Sequence, residues 1–258
     1  MRHAYASGAA SMAVVANSLW LIPLMLVASG NILAQPASRQ QVVQRLEAGS
    51  KDFSNLEAPG ADLSGLDFTG ASLFGANLKG ANLSAARLVR CNLNSAILRD
   101  AVLVDADLRE AQVFSTVMAN ADLSRADLRG ARLMGNFERA ILQGAKLDSV
   151  KGGSDMRNQP MGLIRLVLVG AKLKGASLRG ADLSRADLSH ADFRDADLTD
   201  VNLTRAKLDG ADFSGATLTH AVLAEAEINN TTFAGAIAMD SVHGLDSAKG
   251  RESAIFDR

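Results

Sequence analysis

Residues 61–110 read ADLSG LDFTG ASLFG ANLKG ANLSA ARLVR CNLNS AILRD AVLVD ADLRE. A large apolar residue returns at every fifth position, beginning at Leu63 and continuing to Leu133. Two positions before each of them stands a small residue, which is nearly always alanine. A short fixed period of this kind indicates a repeat architecture, in which each unit buries its apolar face against its neighbours.

Neither an ordinary helix nor a flat strand explains a period of five. On an α-helix, residues five apart are separated by about 140° around the axis, so the leucines would point in all directions. On a strand, side chains alternate, so an odd spacing would put successive leucines on opposite faces. Within one unit, however, the alanine and the leucine are two apart and share a face. A chain that turns a corner after each unit can point every such face at one axis, and the sequence therefore predicts an all-β coil.

The run A(D/N)LxG resembles the pentapeptide-repeat family. That resemblance implies a right-handed quadrilateral β-helix, a solenoid with four repeats per coil, in which residues twenty apart share a side. The central position of every unit is Leu, Phe, Ile, Val or Met, and the repeats cover about two-thirds of the chain. The resemblance says more about shape than about activity, because function depends on sites that differ between members of one fold. The small position departs from alanine at Leu66, Cys91, Thr116, Gly135, Val201 and Thr231.

The first 34 residues differ from all that follow. Arg2 and His3 precede an uncharged apolar run, and the segment ends in small residues at Ala34. This order of features predicts a secretory signal peptide over 1–34, and hence an exported protein of the periplasm or the thylakoid lumen. The alternative is an uncleaved segment that anchors the chain in the inner membrane, since the apolar stretch approaches membrane-spanning length. Pro23 and the small-residue ending favour the signal peptide.

The rest of the chain divides by its pattern. Ser38 and Gln41 have the spacing of a capping box, so we expect a short helix over 38–48 that covers the first coil. The polar stretch 148–170, which contains glycines and a proline, predicts a loop that leaves the rod. From Ile237 onward the period is lost, and we expect a short capping helix around 247–256. The predicted segments are 35–60 (helix and cap), 61–147 (first repeat block), 148–170 (loop insertion), 171–236 (second repeat block) and 237–258 (C-terminal cap or tail).

The sequence shows no arrangement of residues suited to catalysis. Outward carboxylates that share a side, such as Asp192 and Asp212, are interpreted as solvated polar ladders rather than as a cation site. The histidines have no metal-ligand spacing. The lone Cys91 takes an inward alanine position, where burial makes a thiol unreactive. The sequence therefore predicts no enzyme, no metal site and no cofactor.

Large apolar residues occur at outward positions near one corner of the predicted coil. Since residues twenty apart share a side, they would form a ridge, and an exposed apolar ridge is typical of a protein contact. The alternative is that the 148–162 loop of the same chain covers the ridge. A second outward group follows the loop insertion, and we expect that loop or another chain to cover it. The predicted ridge is Phe74, Ile97, Phe114, Val117 and Met134, and the predicted re-entry group is Ile164, Val167 and Val169.

Three functions fit these observations. The first is a non-catalytic scaffold in an exported compartment that binds an unknown protein partner, or a second copy of itself, through its rigid outer faces. The second follows from the family resemblance, since some members mimic duplex DNA, bind DNA gyrase and confer resistance to topoisomerase poisons. The third is a membrane-tethered display rod, which requires an uncleaved N-terminal segment. The net charge of −1 and basic outward residues such as Arg125 and Arg205 disfavour the second function and any contact with nucleic acid, so the scaffold is the preferred hypothesis.

Overall fold

Backbone pairing between residues twenty apart builds the walls of the molecule. The computed structural model describes residues 35–153 and 165–257, so the predicted signal peptide, 1–34, lies outside the described residues. Most of the wall consists of single paired residues between turns. The longer elements are helix α1 (Arg39–Glu47), strands β1 (Gln112–Val117) and β2 (Arg132–Asn136), and 3₁₀ turns at Met239–Ser241 and Leu245–Ser247.

The parallel pairing confirms four units in each coil. Asp62 pairs with Asn82, Asn82 with Val102, and Val102 with Asp122. The next three outward positions repeat the same step of twenty, so the chain turns through four sides before it returns above itself. The central and small residues of the units point inward, and nearly all of them are fully buried. The predicted all-β coil is therefore the observed architecture.

The corners explain why the outward residue of a unit is so often Asp or Asn. The Asp62 carboxylate accepts a hydrogen bond from the backbone N–H of Ser64, two residues ahead, at 3.1 Å. The Asn82 side chain does the same for Ser84 at 3.0 Å. Short side chains of this type stabilise turns by bonding the backbone two residues on. Where the outward residue is Asp or Asn, its side chain thus stabilises the corner that follows it.

The last residue of nearly every five-residue unit has a left-handed backbone. Gly65 has φ +68° and Asp105 has φ +57°. Glycine adopts this conformation at no steric cost, and Asn and Asp tolerate it better than other residues. The turn residues that close the units of the repeat follow from this requirement.

The core contains a stack of phenylalanines in addition to its leucines. Phe193 and Phe213 are parallel with ring centroids 4.7 Å apart, and Phe213 and Phe233 follow at 5.3 Å. Phe256 extends the stack beyond the last five-residue unit, 5.2 Å from Phe233. Aromatic pairs in such arrangements contribute about 0.5–1.5 kcal/mol each beyond their buried area.

Helix α1 forms where the sequence predicts it. Ser38 Oγ accepts from the Gln41 N–H at 3.3 Å, and Gln41 Oε1 accepts from the Ser38 N–H at 2.8 Å, which completes the capping box. Val42 is the buried residue of the helix. None of the helices in the described part of the chain is long and apolar enough to cross a membrane.

The first coil begins earlier than predicted. Asp52 pairs with Ser72 and Glu57 with Asn77, so wall residues already occur within 35–60. The boundary at 61 is therefore wrong. In the unit that begins at Leu56, the large and small inward residues are exchanged. Leu56 takes the position that usually holds alanine, and Ala58 takes the position that usually holds leucine, so the unit does not match the repeat although both residues are buried.

The predicted loop, 148–170, is too wide at both ends. Lys151 pairs with Asp182, and Val167 pairs with Asp187, so both belong to the wall. The inward positions on either side, at Val150 and Leu166, are buried like those of any other unit. The polar and glycine-rich composition of the segment concealed this continuation.

The C-terminal segment forms one more coil rather than the predicted capping helix around 247–256. Its wall residues occur every six positions instead of every five, and the sequence reads IAMDSV HGLDSA KGRESA IFDR from 237. The extra residue of the first two units lies in a tight turn, and those turns are the two 3₁₀ elements. The paired residues are Ile237 with Thr217, His243 with Val222, Lys249 with Glu227, and Ile255 with Thr232.

One unit lacks a residue, and this straightens the corner that β2 spans, directly above the corner in β1. The spacing from Leu133 to Phe137 is four, and the register shifts between Phe114 and Thr116. Thr116 is buried, and its hydroxyl donates to the Leu93 carbonyl at 2.8 Å. Gly135 lies so close to Thr116 that an added Cβ would overlap the Thr116 carbonyl oxygen. Both departures from alanine in this corner therefore have a structural cause.

Replacing Gly135 with alanine should strongly destabilise the protein. The new Cβ has no space beside the Thr116 backbone, and overpacking against backbone atoms costs about 3 kcal/mol, the upper end of the usual range. Gly175→Ala is the control, because it meets no atom within 4 Å and suffers only from its positive φ. That substitution should cost about 1 kcal/mol. Denaturant unfolding of both variants measures the difference, and equal losses would contradict the tight contact at Gly135.

Candidate protein-contact surface

Apolar side chains lie along one corner and the side that follows it. Phe74 is 45% exposed and Ile97 is 41% exposed, which are high values for large apolar residues. Phe114 and Val117 are half-buried, and Ile97 pairs with Val117 in the wall. We call Phe74, Ile97, Phe114 and Val117 the apolar patch.

The side chain of Asn94 holds the backbone beneath the patch in place. Gln112 stands where many other units have Asp or Asn, so the short turn contact is missing at the next corner. The Asn94 side chain, one coil below, accepts from the Phe114 N–H instead, at 2.8 Å. Asn94 is in turn held by the corner of its own unit, where its N–H donates to the Asn92 side chain at 3.1 Å. The backbone beneath Phe114 is therefore fixed by a bond between coils.

Met134 does not belong to the exposed patch. It was predicted to point outward with Phe74 and Phe114, but it is only 3% exposed. It lies in β2, where the missing residue has replaced a normal turn with an extended corner, and it pairs with Phe114. The sequence shows this corner only as a unit that is one residue short. The straightened backbone explains why Met134 is buried rather than exposed.

Val102 was not predicted as part of the surface, although it is 37% exposed. It occupies an outward position on the side that follows Ile97, between Asn82 and Asp122 in the wall. Its signal in the sequence is an apolar residue at a position that normally holds Asp or Asn. The exposed apolar surface thus reaches around the next corner.

The re-entry group lies on the same side as the patch. Asn136 pairs with Val117 below and with Val167 above, so Val167 continues the column of Ile97. Val167 and Val169 are half-buried, and Ile164 lies outside the described residues. The structure therefore brings Val167 close to the patch. An open cavity of about 270 Å³ separates the two groups and is lined by Ser115, Thr116, Val117, Gly135, Asn136, Arg165 and Val167.

Stacked carboxylates elsewhere on the rod are neutralised by arginines. Arg194 donates two hydrogen bonds to Asp192, at 2.8 and 2.7 Å, and its Nε lies 3.8 Å from Asp212. Hydrogen bonds from Arg194 hold the pKa of Asp192 below its usual value, even though partial burial acts in the opposite direction. These contacts support the interpretation of the acidic columns as surface ladders.

A second pair of stacked carboxylates has the same arrangement. Arg109 bonds Asp107 at 2.8 and 2.6 Å, and it also approaches Asp127 at 3.9 Å. Hydrogen bonds from Arg109 lower the pKa of Asp107. Within 35–153 and 165–257, no three His, Cys, Asp or Glu side chains are grouped so that they could hold a metal ion.

Among the residues that the structure describes, Cys91 and the histidines form no reactive pair. Cys91 is fully buried, and burial raises the pKa of its thiol to about 12. A thiol with this pKa is almost entirely protonated at neutral pH and is a poor nucleophile. His220 Nδ1 lies 3.2 Å from an Asp200 oxygen on the rod surface, and the His243 ring lies 6.3 Å from the His220 ring.

Comparison with known proteins gives one family and several related folds. The family described as pentapeptide repeats matches in eight copies, over residues 52–88, 76–112, 115–151, 167–205 and 196–235. No curated protein matches the chain. QnrB1, described as a plasmid-mediated fluoroquinolone resistance protein, is 17% identical over 75% of this chain and 92% of its own, with a TM-score of 0.56. This likeness shows a shared fold, the right-handed four-sided β-helix.

Two further solved structures are similar in sequence pattern. HetL, a pentapeptide repeat protein involved in heterocyst differentiation regulation in Nostoc sp. strain PCC 7120, is 27% identical over 84% of this chain and 98% of its own, with a TM-score of 0.43. A pentapeptide repeat protein of the Arabidopsis thaliana thylakoid lumen is 24% identical over 63% of this chain and 68% of its own, with a TM-score of 0.17.

Replacing Arg194 with glutamine should lower the melting temperature at neutral pH by about 2 °C, as expected for a surface ion pair. The pKa of Asp192 is lowered in the folded chain, so this pair stabilises the fold above the ordinary carboxyl pKa, near pH 4. The contribution disappears as the pH falls through the lowered pKa, and the two proteins should then melt together.

Thermal melts between pH 2.5 and 7 test this expectation. Arg99→Gln is the matched control, because Arg99 is exposed and makes no ion pair with any other described residue. A loss of stability in Arg194→Gln that stayed constant down to the lowest pH would contradict an electrostatic origin.

Proposed function

The chain belongs to the pentapeptide-repeat family, and we propose that it acts as a non-catalytic scaffold that binds another protein through the apolar patch. The observation that carries the proposal is the grouping of four large apolar side chains on one part of the wall, where Phe74 and Ile97 are exposed and Phe114 and Val117 are half-buried. Large apolar residues on an otherwise polar surface are typical of protein contacts.

The surroundings of the patch suit a protein interface. The polar residues that pair with or bond its centre are uncharged: Asn77 pairs with Ile97, and Asn94 bonds the Phe114 N–H, while the charged Arg165 lies at the edge, in the cavity beside Val117. The centres of protein interfaces are depleted in charge and enriched in aromatic residues, because removing a charge from water is costly. A partner can therefore cover the centre of the patch, around Ile97 and Phe114, without displacing water from an ion.

Rigidity also favours binding by this surface. The backbone at Ile97 donates to the Ala76 carbonyl at 2.8 Å, and its own carbonyl accepts from Leu78 at 2.8 Å, so the residue is fixed to the coil below. Its side also pairs with Val117 above. A surface that is already ordered loses little conformational entropy on association.

The charge distribution argues against a DNA mimic. Such a role needs a continuous acidic surface, whereas Asp107 and Asp192 are each bonded to an arginine. The net charge of the whole chain is −1. QnrB1 shares the fold, and at 17% identity that likeness carries no role to this chain.

We also infer that helix α1 closes the first coil. Backbone carbonyls at the N-terminal end of the rod have no coil below them to supply donors. Arg39 donates to the Asp62 and Ser64 carbonyls at 2.9 Å, and Arg45 donates to the Asp52 carbonyl at 2.6 Å. These bonds supply what a lower coil would otherwise provide, and they are the reason for assigning α1 a capping role.

Aspartate at two patch positions should abolish partner binding or self-association without unfolding the rod. Phe74→Asp/Ile97→Asp places charges in the centre of the proposed interface, where each must be desolvated. Both side chains are nearly half exposed and lie outside the core, so the melting temperature should fall by no more than about 3 °C. Sedimentation velocity measures self-association, and crosslinking in the native compartment followed by pull-down measures binding to a partner.

The matched control is Ile237→Asp/Ile255→Asp. These residues are 55% and 54% exposed, and they lie at the C-terminal end of the rod, away from the patch. The control should keep the wild-type association state and the wild-type crosslinks. The proposal is wrong if both double variants behave alike, or if the patch variant melts far below the control while its association is unchanged.

We further propose that the scaffold works in an exported compartment. The support is the sequence of 1–34, with its basic start, uncharged apolar run and small-residue ending. N-terminal sequencing of the protein from its native host should find a mature start at Gln35. An intact Met1 in the membrane fraction would favour the display rod instead, and an intact Met1 in the cytosol would contradict export.

A further inference from the structure

The backbone hydrogen bonds between coils have a direction along the axis of the rod, so its two ends expose different groups. In each unit, two backbone N–H groups point toward the C-terminal end and donate to the coil above. In the unit around Leu208, for example, the Leu208 N–H donates to the Glu227 carbonyl at 2.7 Å, and the Gly210 N–H donates to the Asn229 carbonyl at 2.8 Å. Without a coil above, a whole ring of donors would be exposed at this end.

The final coil, whose units are six residues long, provides acceptors for this ring of N–H groups in two different ways. The N–H groups of the central residues bond its carbonyls, as in the rest of the rod, and Leu218 donates to Ile237 at 3.0 Å. The N–H groups of the corner residues bond side chains instead, which happens at no other coil of the described chain. These bonds run from His220 to Ser241 Oγ (3.0 Å), from Glu225 to Ser247 Oγ (3.2 Å), from Asn230 to Ser253 Oγ (3.1 Å) and from Gly235 to the Asp257 carboxylate (2.8 and 2.9 Å).

Each serine hydroxyl also closes its own turn. Ser241 donates to the Ala238 carbonyl at 2.7 Å, Ser247 to Gly244 at 2.8 Å, and Ser253 to Gly250 at 2.9 Å. One hydroxyl therefore accepts from the coil below and donates within its own unit. The serine stands at the same place in DSV, DSA and ESA, which explains why it recurs every six residues.

The final coil also uses its own backbone groups internally. The Ser241 N–H bonds the Ala238 carbonyl, and the Ser247 N–H bonds the Gly244 carbonyl. In a five-residue unit, the equivalent corner groups pair with the neighbouring coils. Each tight turn thus engages one N–H and one carbonyl of the final coil within its own unit, and these groups are no longer free to pair with a further coil.

We propose that the six-residue coil is a terminator, which prevents a second copy of the chain from stacking on the C-terminal end of the rod. Unpaired edges of β structure are templates for the addition of other chains, and natural proteins block them. Here the blocking groups are Ser241, Ser247 and Ser253. This inference does not depend on the apolar patch, which lies at the other end of the rod.

The test is the full-length triple variant Ser241→Ala/Ser247→Ala/Ser253→Ala. It leaves the amides of His220, Glu225 and Asn230 without their acceptors. Amide hydrogen exchange at these three residues should become at least about fivefold faster, the effect of losing a hydrogen bond of ordinary net strength. Sedimentation velocity should show concentration-dependent association beyond the wild-type state.

Two further triple variants provide the controls. Ser→Thr at the same three positions keeps the hydroxyls and should restore both wild-type behaviours. Ser124→Ala/Ser189→Ala/Ser214→Ala removes hydroxyls that bond only an aspartate of their own unit, and it should leave association unchanged. If the alanine triple is insoluble while both controls are soluble, the terminator is supported, and Ser247→Ala alone then provides the exchange measurement.

Three results would overturn the proposal. The first is unchanged exchange at His220, Glu225 and Asn230, which would show that the serines are not the acceptors. The second is faster exchange with the wild-type association state, which would show that the freed donors attract no other chain. The third is end-to-end association of the wild-type protein, which would show that this end is open.

Discussion

The backbone ladder between coils is the constraint on which the rest of the structure depends. Each inward alanine and leucine is buried only because another coil lies about 4.8 Å above or below it. Each unit alone buries too little apolar surface to offset the entropy of ordering five residues, so stability comes from stacking. Every side chain that points outward is therefore displayed on a backbone that its neighbours hold in place, and this is what makes the wall suitable as a binding surface.

Departures from the repeat keep the ladder intact and change only the corners. The residue missing before Phe137 removes a turn, yet Asn136 still pairs with Val117 below it. The insertion before Val167 lengthens one corner, and Val167 still pairs with Asn136. The ladder tolerates such changes because its pairs join the sides of the coils, and both changes fall between the sides. The apolar patch and the re-entry residues are found where these two irregular corners follow each other.

Much of the fold could be predicted from the sequence, because one inward leucine in every five residues admits few arrangements. The capping box of α1 was equally readable, since Ser38 and Gln41 carry a local signal. The exposure of Met134 could not be predicted, because it depends on how a shortened corner relaxes. The last coil was missed for another reason: its period is six, and a search in steps of five loses a serine pattern that repeats only three times. The outward position of Phe74 and Ile97 followed from the period alone, whereas their use by a partner leaves no trace in spacing.

The corner bond between an outward Asp and the N–H two residues ahead has a consequence for how this surface can change. Losing such an aspartate removes one hydrogen bond from its turn, although other corners form behind Arg87, Ile97 and Val102, and asparagine is the replacement that keeps the bond. The arginines that neutralise those aspartates hold no turn together and are free to vary. The electrostatic character of the rod is thus adjustable through its cations alone: substituting them would convert a nearly neutral exterior into a strongly anionic one while leaving every bend of the backbone as it is.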